Sequence, residues 1–131
     1  MKKGFTLVEI IIVVVLIGIL VTIITPVYKN SVRRAREAVL KENLFQFRDA
    51  ISKYYQDKLK YPTALEDLVT QKYLSRIPED TITNSTDWEL VHFEPNPEEP
   101  EDFDAEILEG IIDVKSRSED TALDGSKYSD W

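Results

Sequence analysis

The chain has 131 residues, 43% hydrophobic and 31% charged, with a formal net charge of −8 and no cysteine. That length suits one small domain. The missing cysteines exclude a disulfide framework, a thiolate metal site and a thiol nucleophile, and a single histidine, His92, leaves no histidine cluster to build. The charge is divided unevenly: residues 1–60 carry +6 and residues 61–131 carry −14. An acidic half of that strength argues against nucleic acid as a direct partner, because phosphates repel it.

Phe5 to Pro26 reads FTLVEIIIVVVLIGILVTIITP, in which Glu9 is the one charged residue. A helix of that length rises about 33 Å, enough to cross the hydrocarbon core of a bilayer. Ile10–Ile17 is all Ile and Val except Leu16, a composition that favours a strand in water. In lipid the backbone must satisfy itself, so helix is the form expected. Lys2 and Lys3 open the chain as they would a removable secretory signal, but Ile23-Ile24-Thr25-Pro26 lacks the small residues such a cut requires. The span is therefore expected to stay. Lys29, Arg33, Arg34 and Arg36 follow it, and a count of flanking charges by itself places that side in the cytoplasm. These cations can face lipid headgroups, acidic surfaces of other copies, or water.

Glu9 lies within the apolar run, where an unpaired carboxylate costs several kcal/mol. It reads either as a group reaching back to the headgroups or as a buried charge that needs a partner on another chain. Lys2-Lys3-Gly4-Phe5-Thr6-Leu7-Val8-Glu9, followed by an apolar helix with Pro26 near its end, closely resembles the class III signal of type IV pilins and type II secretion pseudopilins. The resemblance implies that a prepilin peptidase cuts between Gly4 and Phe5 on the cytoplasmic side. It also implies N-methylation of Phe5, an inner-membrane single pass with the C-terminal region in the periplasm, and assembly into a helical homo-oligomeric filament. After the cut, the Phe5 amine is a cation and Glu9 is an anion at i+4. Between offset neighbours the two can pair, strongly in low dielectric, and leaving either alone is costly. Such a pair sets register. Pro26 removes an N–H and clashes one turn back, so a kink or loosened stretch is expected near residues 22–26.

Beyond Pro26, Leu40, Leu44, Phe47, Ile51 and Tyr54 recur at steps of 4, 3, 4 and 3, which is one apolar stripe on a helix. Lys41, Arg48 and Asp49 lie off it. The helix is expected to run to about residue 58, before Tyr61-Pro62, and its stripe needs a small sheet laid on it. Thr63 reads as an N-cap with Glu66 three residues on, opening a short helix. Asn84-Ser85-Thr86 reads as a turn. Trp88–Phe93 and Ile111–Val114 read as strands. Between them, residues 94–109 hold eight carboxylates and three prolines, and read as an exposed loop. His92 reads as structural or exposed.

The expected architecture is α+β and pilin-like: a long N-terminal helix, transmembrane then amphipathic, packed by a small antiparallel sheet. Its parts are a leader at 1–4, a transmembrane and assembly helix at 5–26, the amphipathic half at 27–60 and an acidic C-terminal region at 61–131. Tyr61-Pro62, the short helix, Ile77-Pro78 and the acidic loop resemble the major pseudopilins of type II secretion, with one departure: Asp80-Thr81 stands where that family often has Asp-Pro. The absence of cysteine sets the chain apart from major type IV pilins, which usually close this region with a disulfide.

The tail from Ser116 offers oxygens at Ser118, Glu119, Asp120, Asp124, Ser126 and Asp130 around a tight Asp124-Gly125 turn. Hard cations such as Ca²⁺ take six to eight oxygens. The resemblance implies calcium in this loop, with Ser118, Asp120, Asp124, Ser126 and Asp130 as candidate ligands. Tyr128 and Trp131 are expected to pack the tail onto the sheet. No catalytic constellation stands out, and the chain does not read as an enzyme. The resemblance implies a subunit of a secretion pseudopilus that drives export across the outer membrane. Its implied partners are the membrane, the prepilin peptidase, a secretion or pilus assembly platform and minor pseudopilins. The alternatives are a major or minor pilin of a type IV or DNA-uptake pilus, and a membrane-anchored module that binds cations or a basic partner.

Overall fold

A computed structural model describes residues 3–94, 98 and 109–131, so most of the acidic stretch 94–109 and the first two residues of the leader lie outside the described residues. The elements, in chain order, are α1 (Leu7–Lys58), α2 (Leu65–Thr70), β1 (Glu89–His92), β2 (Ile111–Lys115) and a 3-10 turn at Tyr128–Asp130. The chain divides into two units, one up to Ala35 and one from Arg36 to Trp131.

The first unit is helix from Leu7 onward. Thr6 caps it: the Glu9 N–H donates to Thr6 Oγ1 at 3.2 Å. The helix runs unbroken through Pro26, without the loosened stretch expected near residues 22–26. Thr22 and Thr25 donate their hydroxyls to the carbonyls of Gly18 and Val21 at 2.8 and 2.7 Å, which keeps these polar groups satisfied inside the helix. Large apolar side chains from Phe5 to Val27 are 46–77% exposed. This helix is long and apolar enough to cross a membrane.

The second unit holds the core. Leu40, Leu44, Phe47, Ile51 and Tyr54, the stripe read from the sequence, are all buried, joined by Ala50. Opposite them lie Leu65 and Leu68 of α2, Trp88, Ile111 and Val114 of β2, Ala122 and Tyr128. The Phe47 and Trp88 rings meet edge to face at 5.1 Å, and Trp88 Nε1 donates to the Pro78 carbonyl at 2.9 Å. Trp88 thus fills the core from just before β1. Helix α1 ends as expected at Lys58, and the physical stop is Leu59, which adopts a left-handed φ of 56° and donates its N–H to Tyr55 at 2.8 Å.

Strands β1 and β2 pair antiparallel, with Leu90 opposite Val114, Val91 opposite Asp113, and a register shift between Val91 and His92. His92 is exposed, its Nδ1 3.1 Å from the Glu109 carbonyl. The cap of α2 differs from the expectation. Asp67, not Glu66, closes it: Asp67 Oδ2 accepts from the Thr63 N–H, the Thr63 hydroxyl and the Ala64 N–H at 3.0–3.2 Å. The helix starts one residue later than Thr63 as N-cap implied, which moves the reciprocating carboxylate from 66 to 67. The Asn84 turn is as expected: Asn84 takes a φ of 53° and donates to the Asp80 carbonyl at 2.8 Å.

Candidate functional site

Two places carry the functional reading. The first is the start of α1. Gly4 and Phe5 precede the helix, outside its hydrogen-bonded turns, and both are exposed. A peptide bond placed there is accessible to a protease without unwinding any helix. Glu9 is exposed on the first turn, among side chains that are otherwise apolar. Its place near a helix N-terminus favours a negative charge. The cap explains how the sequence sets the helix start. Thr6 and Glu9 form a T-x-x-E spacing, a signal for a capping box that could have located the boundary from the sequence. It leaves Phe5 free of the helix and puts Glu9 in the first turn. Gly4, Phe5 and Glu9 are thus brought together at one end, whereas Pro26 sits five turns on.

The second place is the C-terminal tail, where the sequence offered cation ligands. Thr121 and Lys127 pair across a tight hairpin, and Gly125 at its tip has a φ of 89°, a conformation that residues with a Cβ rarely adopt. Asp124 Oδ1 accepts from the Ser126 hydroxyl at 2.6 Å and from its N–H at 2.9 Å. These hydrogen bonds, the hydroxyl first, with help from Lys41, hold the Asp124 carboxyl below its usual range. Ser126 Oγ also accepts from Trp131 Nε1 at 2.6 Å. Ser118 Oγ accepts the Asp120 N–H at 3.3 Å. Asp124 and Ser126 are therefore turned on one another. Among the described residues no three carboxylate or imidazole groups converge in a way that could hold a metal ion.

The tail is tied instead to α1. Glu37, buried, accepts the Leu123 N–H at 2.9 Å and the Tyr128 hydroxyl at 2.8 Å. Lys41 Nζ lies 4.4 Å from the centre of the Trp131 ring. Arg48 donates to Asp113 Oδ1 at 2.8 Å and to the Trp131 carbonyl at 2.6 Å. Tyr128 and Trp131 meet edge to face at 5.1 Å. A second buried carboxylate, Asp80, accepts the Ser116 hydroxyl at 2.5 Å and the Ile82 N–H at 2.8 Å. Sequence reading missed Glu37 and Asp80, because nothing local marks a carboxylate whose partners lie 86 or 36 residues away.

An open groove of about 560 Å³ runs beside Asn43, Gln46, Leu74 and Pro78. His92 is not among its lining residues.

A family profile described as the prokaryotic N-terminal methylation motif matches residues 1–25. The type II secretion system core protein G of Vibrio cholerae is 30% identical over 98 residues, covering 63% of this chain and 67% of the relative. The protein of the same name from Escherichia coli is 29% identical over 107 residues, covering 70% of this chain and 72% of the relative. The fimbrial protein EcpC of Eikenella corrodens is 39% identical over 61 residues, and there the chain spans 40% of the relative's length. No solved structure gives a significant match.

Proposed function

The chain belongs to the family of the type II secretion system core protein G, the pseudopilins, and on that footing we propose that it builds a pseudopilus whose growth moves proteins across the outer membrane. The observation that carries the reading is the arrangement of Gly4 and Phe5 just outside a capped, exposed apolar helix that carries Glu9 in its first turn.

In this reading the prepilin peptidase cleaves between Gly4 and Phe5 and methylates the new amine. The apolar helix holds the subunit in the inner membrane, with the C-terminal region on the periplasmic side. The long acidic region is what must cross, and it overrides the flanking-charge count. On assembly, the Phe5 amine of one copy meets Glu9 of the next. Each charge left lipid-buried without the other is costly, so the pair selects one axial offset. Pro26 is the point where the helix can extend, since its missing N–H already removes one rung of the ladder. Energy for assembly comes from a cytoplasmic ATPase and not from this chain, and an assembly platform and minor pseudopilins are the expected partners.

Intact-mass measurement of mature protein tests the first step. Loss of Met1–Gly4 with one added methyl group is the expected result, and a mature chain that retains its leader overturns the reading. Filaments that form from the mature chain, together with restored protein export in a host lacking its own core pseudopilin, are the expected result for the second step.

A further inference from the structure

We propose that the tail from Ser116 to Trp131 is fastened by the protein's own charges and not by a bound cation: Glu37, Lys41 and Arg48 on one face of α1, with buried Asp80 behind the turn, do the work that calcium would otherwise do. The clamp lies wholly within the second unit and is independent of filament assembly.

Three observations support it. The first is spacing. Glu37, Lys41 and Arg48 stand at i, i+4 and i+11, which superimpose on one side of an α-helix. All three reach the tail: Glu37 takes hydrogen bonds from Leu123 and Tyr128, Lys41 covers the Trp131 ring, and Arg48 holds the Trp131 carbonyl and Asp113.

The second is charge. A calcium loop concentrates carboxylates and lets the metal neutralise them. Here the positive charge is already supplied. Lys41 and Arg48 sit against the tail, where they would repel a divalent cation.

The third is the state of the oxygens. Ser126 Oγ donates to Asp124 and accepts from Trp131, Ser116 Oγ donates to Asp80 and accepts the Ser118 N–H at 3.2 Å, and Ser118 Oγ accepts from Asp120. A metal would have to break this chain of bonds to collect its ligands. Glu37 and Asp80 are buried, and each accepts N–H and O–H hydrogen bonds from the chain itself, which stabilise the anion. No buried side-chain polar atom among the described residues lacks a partner.

The test uses the full chain in detergent micelles, followed by the near-ultraviolet signal of its tryptophans. The wild type is expected to melt at the same temperature in saturating calcium and in excess EGTA. Terbium, which an indole as near as Trp131 would sensitise, is expected to show no saturable emission. Glu37→Ala should lower the midpoint by roughly 5–15 °C in both conditions. Lys41→Gln, a milder change that keeps the fold readable if Glu37→Ala does not fold, should lower it by roughly 2–6 °C, again with no response to calcium. A calcium-dependent rise in the wild-type midpoint overturns the proposal. So does terbium emission that saturates and is lost in Asp124→Asn, or a Lys41→Gln variant that melts like wild type.

Discussion

The two units of this chain solve opposite problems with the same helix type. From Leu7 to Val27, α1 shows apolar side chains on every side, about half exposed or more. From Arg36 onward it buries one stripe under α2, β2 and the tail and shows water its polar side. A helix apolar all round needs lipid or other helices around it, whereas a one-sided stripe needs a single layer. The first unit therefore carries the instructions for the membrane and for neighbouring copies, and the second carries its own stability.

That contrast predicts that the two units fail separately. The largest effect is expected from Glu9→Val, which leaves an amine without its carboxylate in low dielectric. Filament yield should fall on the order of a hundredfold, while membrane insertion and the melting of the second unit stay as in wild type. Sedimentation of assembled fibres and a thermal melt read the two sides. Normal fibres from this variant would sink the register role. The reciprocal change is Phe47→Ala, which empties the centre of the core and should cost about 3–5 kcal/mol of unfolding free energy. Denaturant titration measures it, and insertion into membrane should be unaffected.

Smaller effects sharpen the picture within the second unit. Asp67→Ala removes the acceptor for three donors at the start of α2 and should cost about 1 kcal/mol, whereas Glu66→Ala should be close to neutral. Equal losses from both would return the cap to Glu66. The smallest effect concerns pH. Tyr73 donates its hydroxyl to Asp57 at 2.6 Å, and that bond holds the phenol above its ordinary value. A raised folded value means that the contribution is present below about pH 10 and is lost as pH rises through the raised value. In a spectroscopic titration one tyrosine should ionise after the exposed ones, and Asp57→Asn should bring it back among them.

Much of this was legible in the chain. The apolar run, its lone acid and the residues before it are local patterns, and so is the 4, 3, 4, 3 stripe, whose five members are all buried. The helix end at Lys58 and both strands came within a residue or two of their expected places. Where reading failed, the signal was either a one-residue shift or long-range. Asp67 replaced Glu66 because a cap is decided by where the chain enters the helix. Ser126 and Asp124 show only as oxygens in a turn, and the bonds from Ser126 to Asp124 and from Trp131 to Ser126 could not be seen in the chain.

Periodicity and composition determined the helix, its apolar half and its buried stripe, because each depends on residues a few positions apart. Only the folded chain decided how the acidic tail is held. Glu37, Lys41, Arg48 and Asp80 acquire their roles from groups 36 to 91 positions away, and a charge in sequence does not say which charge will lie beside it in space.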